Sequence, residues 1–136
     1  MITLDLAGRK HYNKVRSKAK FTDKQYRTIR VLHEMKKVKL KDLSKELNIS
    51  NSSLCIMLNK MVDEHYVARE HDERDRRDMY YYLTEKGERI FKDESSMRRD
   101  IMNQIFEEKL TEQEQDQFLE AVESLSEIFS KLAERS

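Results

Sequence analysis

Apolar residues recur along this chain at two different spacings, and the change of spacing predicts the order of its elements. Between residues 40 and 64 they return every three or four positions, which is typical of helices with one buried face. Between residues 66 and 83 they alternate with polar residues, which is typical of strands. The pattern predicts a helix, a turn, a second helix and a two-stranded hairpin, the order found in a winged helix-turn-helix.

The second of these helices, about residues 52–64, has two chemically different sides. Ser50 or Asn51 is suited to cap it, because both side chains accept hydrogen bonds from backbone amides. The apolar side consists of Leu54, Met57, Leu58, Met61 and Val62. Because a helix fits the major groove, the opposite side is the predicted DNA-reading surface. With the N-terminal residues of the helix it comprises Asn51, Ser52, Ser53, Cys55, Ile56, Asn59 and Lys60.

The first helix of the pair is short, about two turns, and carries an apolar stripe of Leu40, Leu43 and Leu47. The hairpin strands, residues 66–71 and 79–83, each present one alternating set of side chains. These sets are Val67, Arg69 and His71 on the first strand and Met79, Tyr81 and Leu83 on the second. Residues 72–77 between the strands are all charged, so this tip is expected in solvent or against a charged partner.

Further helices flank this unit. Thr22 and Gln25 form a capping box that starts a helix to about residue 35, after which residues 36–41 are a joint. The residues of that helix expected to face the core are Tyr26, Ile29, Leu32 and Met35. Another helix is predicted from residue 84 to about residue 109, and a second capping box at Thr111 starts a last one.

The last two helices carry more apolar surface than a small winged helix can cover. Monomers rarely leave such a patch exposed, so a symmetric homodimer is expected. The residues predicted to form its interface are Ile101, Ile105, Phe118, Val122, Leu125 and Phe129. The expected organisation is an N-terminal dimer arm (1–20), a DNA-binding domain (21–90) and a C-terminal dimerisation region (91–136).

Composition supports a mainly α fold and limits the function classes. The chain has 136 residues with no Pro and two Gly, so loop-forming residues are nearly absent. The net charge of +1 hides a basic start, with 13 basic and 3 acidic residues in positions 1–41. Positions 111–136 are acidic, with 2 basic and 7 acidic residues, so DNA affinity must come from local patches.

Cysteine content and hydropathy indicate a soluble, cytoplasmic protein. A single Cys excludes an intramolecular disulfide, and no apolar run is long enough for a signal peptide or a membrane span. There is no Gly-rich phosphate loop and no recognisable catalytic set, so we expect no enzymatic activity, cofactor or metal site.

Several motifs together resemble the MarR (multiple antibiotic resistance regulator) family of winged-helix regulators. That family's wing has an Asp-x-x-Asp-Arg-Arg core, followed by an apolar strand and a Leu-Thr-x-x-Gly helix start. The matching residues here are Asp72, Asp75, Arg76, Arg77, Leu83, Thr84 and Gly87. The motif resemblance covers about residues 21–91, and the remainder is similar in helix layout only.

The resemblance implies a homodimeric transcriptional regulator, expected to be a repressor, that binds a pseudo-palindromic operator in double-stranded DNA. It also implies release by a small hydrophobic or aromatic effector held between the lobes, near Tyr12, Tyr26 and His33. The DNA-binding wing would consist of Asp72, Arg74, Asp75, Arg76 and Arg77. We assign Arg76 to minor-groove insertion and Arg77 to pairing with an Asp, although the sequence does not decide between the two.

The sequence departs from the family pattern at three positions. Ile56 stands where many relatives have a basic or polar residue, so Ile56 and Cys55 are expected to meet thymine methyls, with Asn59 available for adenine. An A·T-rich operator is therefore predicted. His65 replaces a common turn Gly and His71 a common Pro, and both changes bear on the geometry of the wing.

Two other interpretations remain open. The chain could be a helical protein-interaction adaptor that keeps the fold without binding DNA, for which three wing arginines would have no use. It could also be a redox- or metal-responsive regulator of the same fold, acting through Cys55 or through His65 and His71. Plain structural roles are favoured for these residues, because a lone groove-facing Cys and unpatterned His match no recurrent site.

Overall fold

The computed structural model describes residue 9 and residues 13–135, and there it confirms a mainly helical chain with a small antiparallel sheet. In chain order the elements are α1 (residues 13–18), α2 (Asp23–Met35), β1 (Val38–Lys39), α3 (Leu40–Leu47), α4 (Asn51–Asp63), β2 (Val67–His71), β3 (Met79–Leu83), α5 (Glu85–Lys109) and α6 (Glu112–Arg135). Residues 1–8 of the predicted arm and Tyr12 lie outside the described residues.

Hydrogen bonds at the helix starts confirm the predicted caps. The amide of Gln25 donates to Thr22 Oγ1, and the amide of Thr22 donates to the Gln25 side chain, completing the capping box. Ser50, rather than Asn51, caps α4 by accepting from the Ser53 amide at 3.3 Å. Thr111 and Glu114 exchange the same pair of bonds before α6. Each cap satisfies amides that the first helical turn leaves without partners.

The sheet has three strands in the order β1-β3-β2, whereas the alternating pattern predicted only a hairpin. The third strand, β1, lies in the stretch expected to be a simple joint, and its Val38 pairs with Tyr81. Two residues are too few to show an alternation, which is why the sequence did not reveal it. The two alternating sets of the hairpin lie opposite each other, since Val67 pairs with Leu83 and His71 with Met79.

The main core lies between α2, α3, α4 and one face of the sheet. Its fully buried members include Ile29, Leu32, Leu43, Leu54 and Leu58. The prediction for Met35 was wrong, because that side chain is 46% exposed. The buried face of α2 is formed by residues 28, 29, 31 and 32, and the helix ends before another turn can be covered.

A second, smaller core joins α1 to α5. Val15 of α1 is buried against Ile101 and Ile105 of α5. The helix α6 contributes no buried residue. None of the helices in the described residues has both the length and the hydropathy needed to cross a membrane.

Candidate nucleic-acid interface

The helix α4 is fixed by its inner side and leaves its outer side in solvent. Leu54, Leu58 and Met61 are buried in the main core, as the helical spacing predicted. On the outer side Ile56 is 74% exposed, which is unusual for a large apolar side chain. The neighbouring polar residues of this side are also exposed: Asn51, Ser52, Ser53, Asn59 and Lys60. Cys55 is half-buried at the edge of this surface.

A hydrogen bond connects this outer side to the sheet. Nη1 of Arg69, on β2, donates to Oδ1 of Asn59 at 2.7 Å. Tyr81 lies opposite Arg69 on β3, and its side chain is buried. Burial raises the pKa of the Tyr81 phenol, so the ring stays neutral over the physiological range. Sequence reasoning placed Arg69 on the correct strand face but did not connect it with Asn59.

The turn from α4 into β2 is a Schellman motif centred on His65. The amide of Tyr66 donates to the Met61 carbonyl and the amide of His65 to the Val62 carbonyl, both at 3.0 Å. His65 has a φ of 66°, in the left-handed region that favours glycine. The replacement of a common turn Gly by His65 therefore leaves the turn geometry intact, with some backbone strain at this position.

Hydrogen bonds of Thr84 hold the start of α5 against this same turn. The Thr84 hydroxyl donates to the His65 carbonyl at 2.6 Å and accepts from the Gly87 amide at 3.0 Å. Leu83 is buried in the sheet one residue earlier. The Leu-Thr-x-x-Gly sequence thus sets the end of the wing and the direction of α5 together.

The base of the wing is clamped by Lys39 from β1. Its Nζ lies 3.2 Å from Asp78 Oδ2 and 3.3 Å from Asp72 Oδ2, so one cation holds both ends of the charged tip. These two carboxylates raise the pKa of Lys39. The pKa of Asp72 is lowered, first by the backbone amide of Arg74 and then by Lys39. Sequence reasoning missed this contact, because Lys39 lies in the stretch expected to be a joint.

Arg76 and Arg77 at the tip of the wing differ in their hydrogen bonds. Arg77 donates from Nε and from its backbone amide to Asp75 Oδ1, at 3.2 and 3.0 Å. These bonds lower the pKa of the Asp75 carboxyl. Arg76 has an exposed side chain, and its guanidinium has no hydrogen bond or ion pair with any described residue. The structure therefore pairs Arg77 with Asp, as assigned, and leaves Arg76 to project from the wing.

His71 supports the tip from the strand. Its Nδ1 lies 2.8 Å from the Arg76 carbonyl oxygen, which can only accept, so Nδ1 carries the hydrogen. Within residues 13–135 no three His, Cys, Asp or Glu side chains are arranged to hold a metal ion. His71 thus replaces the common Pro with a hydrogen bond that fixes the backbone where Arg76 begins.

Comparison with known proteins shows which family this arrangement resembles. The family model described as the MarR family matches residues 21–79, from the first residue of the main core into the second wing strand. Over these residues the chain resembles the MarR family. The match covers most of the predicted DNA-binding unit and supports its interpretation as a MarR-like winged helix.

Individual relatives agree with this assignment. The HTH-type transcriptional regulator SarZ of Staphylococcus epidermidis is 29% identical over 106 residues, which are 78% of this chain and 68% of SarZ. The YusO protein of Bacillus subtilis has a similar structure, with a TM-score of 0.82, 22% identity and coverage of 93% of this chain and 91% of YusO. BpsR of Bordetella bronchiseptica, whose DNA binding is regulated by 6-hydroxynicotinic acid, has a TM-score of 0.65, 20% identity and coverage of 91% and 96%.

A concave surface between α2 and α5 contains two of the residues named for an effector, Tyr26 and His33. The Arg98 guanidinium lies 3.8 Å from the centre of the Tyr26 ring, and His33 stacks on Phe91 with ring centroids 4.4 Å apart. Nε and Nη2 of Arg98 are enclosed and have no hydrogen-bond acceptor among the described residues. Sequence reasoning missed Arg98, because nothing in a helical charge pattern indicates which Arg covers an aromatic ring.

The predicted dimerisation residues fall into two groups. Ile101 and Ile105 are already buried within this chain by α1. Phe118, Val122, Leu125 and Phe129 are exposed on α6, by between 42% and 60%. The Phe118 ring lies 4.5 Å from that of Phe106 at the start of this face, in an open groove between α5 and α6.

Proposed function

We propose that this protein is a MarR-like homodimeric repressor that binds a pseudo-palindromic operator, with α4 in the major groove and the wing in the minor groove. The proposal rests on a difference between the intramolecular contacts of Arg76 and those of Arg77. Arg76 projects from the tip without an intramolecular partner, while Arg77 is tied to Asp75. A narrow minor groove has an enhanced negative potential that attracts an inserted arginine.

The exposed side of α4 supports base reading in the adjoining major groove. Ile56 is the most exposed large apolar side chain of the described residues, and thymine is the one base with a methyl group in that groove. Cys55 is half-buried beside it. These two side chains favour an operator rich in A·T pairs opposite the centre of α4. Ser52 and Lys60 at the two ends of the helix are suited to phosphate contacts.

A homodimer through α6 is supported by the row of exposed apolar side chains on that helix. Phe118, Val122, Leu125 and Phe129 recur at three- and four-residue intervals on a single face. Pairing this face with that of a second copy would remove it from water. A two-fold dimer would then present two copies of α4 to successive major grooves, which requires a pseudo-palindromic site.

Release by an effector is supported by the chemistry of the concave surface between α2 and α5. Aromatic rings of Tyr26 and Phe91 lie beside the Arg98 guanidinium, so the site suits a small aromatic carboxylate. Because the surface joins α2 of the DNA-binding unit to the long helix α5, a bound effector would bias the relative position of the two. A dimer spacing that fits the effector but not both half-sites would lower operator affinity.

The decisive experiment measures binding of the purified protein to duplexes of its own promoter region across a range of salt concentrations. Wild type is compared with Arg76→Ala, Arg77→Ala and the control Lys109→Ala, which removes a positive charge at the far end of α5. We expect saturable, sequence-selective binding with a steep salt dependence. Arg76→Ala should weaken it and lower the salt slope, whereas Lys109→Ala should behave as wild type.

Two outcomes would oppose the proposal. If wild type bound all duplexes equally, including those recovered from a genome-wide selection, an adaptor role without DNA reading would replace it. If Arg76→Ala and Lys109→Ala had the same affinity as wild type, the wing would have no part in binding. Treatment of the free protein with a thiol reagent tests the redox variant, in which modification of Cys55 would abolish binding.

A further inference from the structure

Asn59 lies on the outer side of α4 with one end of its side chain already engaged. Its Oδ1 accepts from Nη1 of Arg69 at 2.7 Å. A guanidinium has donors only, so the oxygen of the carboxamide, not its nitrogen, must face Arg69. The amino group of Asn59 is consequently the part of the side chain that remains for another partner.

The side chain of Arg69 is exposed, but its backbone is fixed in a strand pair that borders the main core. Its neighbour across the sheet is Tyr81, whose side chain is only 3% exposed and belongs to that core. The strand pair therefore sets where the Arg69 side chain begins, and the charge-assisted bond from its guanidinium restrains the rotation of the Asn59 carboxamide.

We infer that Arg69 is a specificity-determining positioning residue that makes Asn59 a hydrogen-bond donor toward the bases. A free asparagine binds adenine with both of its ends, accepting from N6 and donating to N7. With its oxygen held by Arg69, Asn59 can only donate, and the groove edges that offer acceptors without an amino group are thymine O4 and guanine O6 and N7. Asn59 then reads the keto bases, thymine and guanine, in place of the adenine expected for an unrestrained asparagine.

This inference rests on the proposed binding of α4 in the major groove, and its test separates the two. Operators are selected from random duplexes with the full-length protein, and the affinity for each base pair at each position is then measured by fluorescence anisotropy. Four proteins are compared with wild type: Asn59→Ala, Arg69→Met, the double variant, and Arg74→Met. The last removes one exposed positive charge of the wing without contact to Asn59.

The position read by Asn59 is the one at which Asn59→Ala loses its base preference. There wild type is expected to accept thymine and guanine on one strand. Arg69→Met is expected to shift the preference toward adenine by about tenfold, because both ends of the carboxamide become available. The double variant should have no preference there. Arg74→Met should lower the affinity for all sequences without changing the base preference at this position.

Each other result is decisive. An adenine preference of wild type at that position, an unchanged preference in Arg69→Met, or no position that depends on Asn59 would overturn the inference while leaving operator binding in place. A uniform loss of affinity in Arg69→Met would show that Arg69 acts only through its charge. If wild type has no sequence preference anywhere, the proposed function fails as well. Circular dichroism of every variant excludes unfolding as the cause.

Discussion

The α-carbon of Gly87 faces the backbone carbonyl of Tyr66 so closely that a Cβ at position 87 would lie 2.1 Å from the carbonyl oxygen. That oxygen already accepts from the backbone amide of Thr84 at 3.1 Å. The first turn of α5 is therefore in direct backbone contact with the turn that follows the recognition helix. Glycine is needed here for space and not for its conformational freedom, since the residue is helical.

Replacement of Gly87 by alanine should destabilise the protein, although alanine is normally the better helix former by about 0.5–1 kcal/mol. The added methyl must displace backbone, and overpacking of this kind costs roughly 1–3 kcal/mol. Chemical denaturation measures the change. The control is Asp93→Ala, at an exposed position of the same helix, which should be neutral or slightly stabilising. An unchanged midpoint for Gly87→Ala would show that Tyr66 moves away without cost.

Replacement of His65 by glycine should have the opposite effect. The φ of 66° costs a residue with a Cβ about 1–2 kcal/mol, while glycine loses more backbone entropy on folding. The net result should be a stabilisation of roughly 0.5–1 kcal/mol, seen as a higher denaturation midpoint with an unchanged slope. His65→Ala is the matched control, because it removes the imidazole and keeps the strain. If both variants are equally stable, the backbone at this turn is not strained.

The sequence predicted those features that depend on local spacing. Helix bounds, caps and the alternation of side chains along β2 and β3 followed from apolar periodicity and from single residues such as Thr22 and Thr84. The features that it did not predict depend on contacts between distant elements. Lys39 reaches the wing only because a two-residue strand pairs with β3, and Arg69 meets Asn59 only because β2 packs beside α4. Residue spacing along one element carries no information about such contacts.

Neutralising Asp75 should weaken operator binding, even though it makes the wing more positive. Asp75→Asn keeps one acceptor oxygen but removes the negative charge and the second oxygen that hold the Arg77 guanidinium, so the tip is held less firmly. We expect a loss of affinity of a few-fold, the scale of an exposed ion pair. Glu73→Gln removes an equal charge from an exposed residue of the same tip and should tighten binding slightly. Tighter binding by both variants would show that charge alone governs the wing.

The ion pair of Asp75 and Arg77 sets the pH dependence of the wing. Because the pKa of Asp75 is lowered on folding from its ordinary value of 3.8, its contribution is present above that value and is lost as the pH falls through the folded pKa. The tip should thus keep its geometry at every pH above about 5. An NMR titration of the Asp75 carboxyl measures the shift, and in Arg77→Ala the midpoint should return toward 3.8. An identical midpoint in both proteins would mean that Arg77 is not the cause.

Charge on the exposed face of α6 should separate the proposed dimer into monomers. Leu125 and Phe129 are 53% and 60% exposed in the single chain, and covering each would contribute on the order of 1 kcal/mol. Leu125→Glu with Phe129→Glu should weaken association at least tenfold, because the pairing would also bury charge. Sedimentation equilibrium gives the dissociation constant, with Glu123→Gln as the polar control on the same helix. A dimer of unchanged affinity would place the interface elsewhere.

Arg98 should determine the affinity for an aromatic carboxylate. Its guanidinium lies on the Tyr26 ring, and the carboxylate of Asp23 is 3.8 Å away, beyond hydrogen-bond distance. Benzoate and 6-hydroxynicotinate are suitable probes, titrated into the protein–operator complex and followed by anisotropy. Wild type should release DNA as the probe binds, and Arg98→Gln should need about tenfold more, since a charged hydrogen bond is lost. Arg89→Gln, an exposed change on the same helix, controls for the loss of charge.

If Arg98→Gln released DNA at the same probe concentration as wild type, the carboxylate would not lie at the guanidinium. If wild type bound neither probe, the effector would belong to another chemical class.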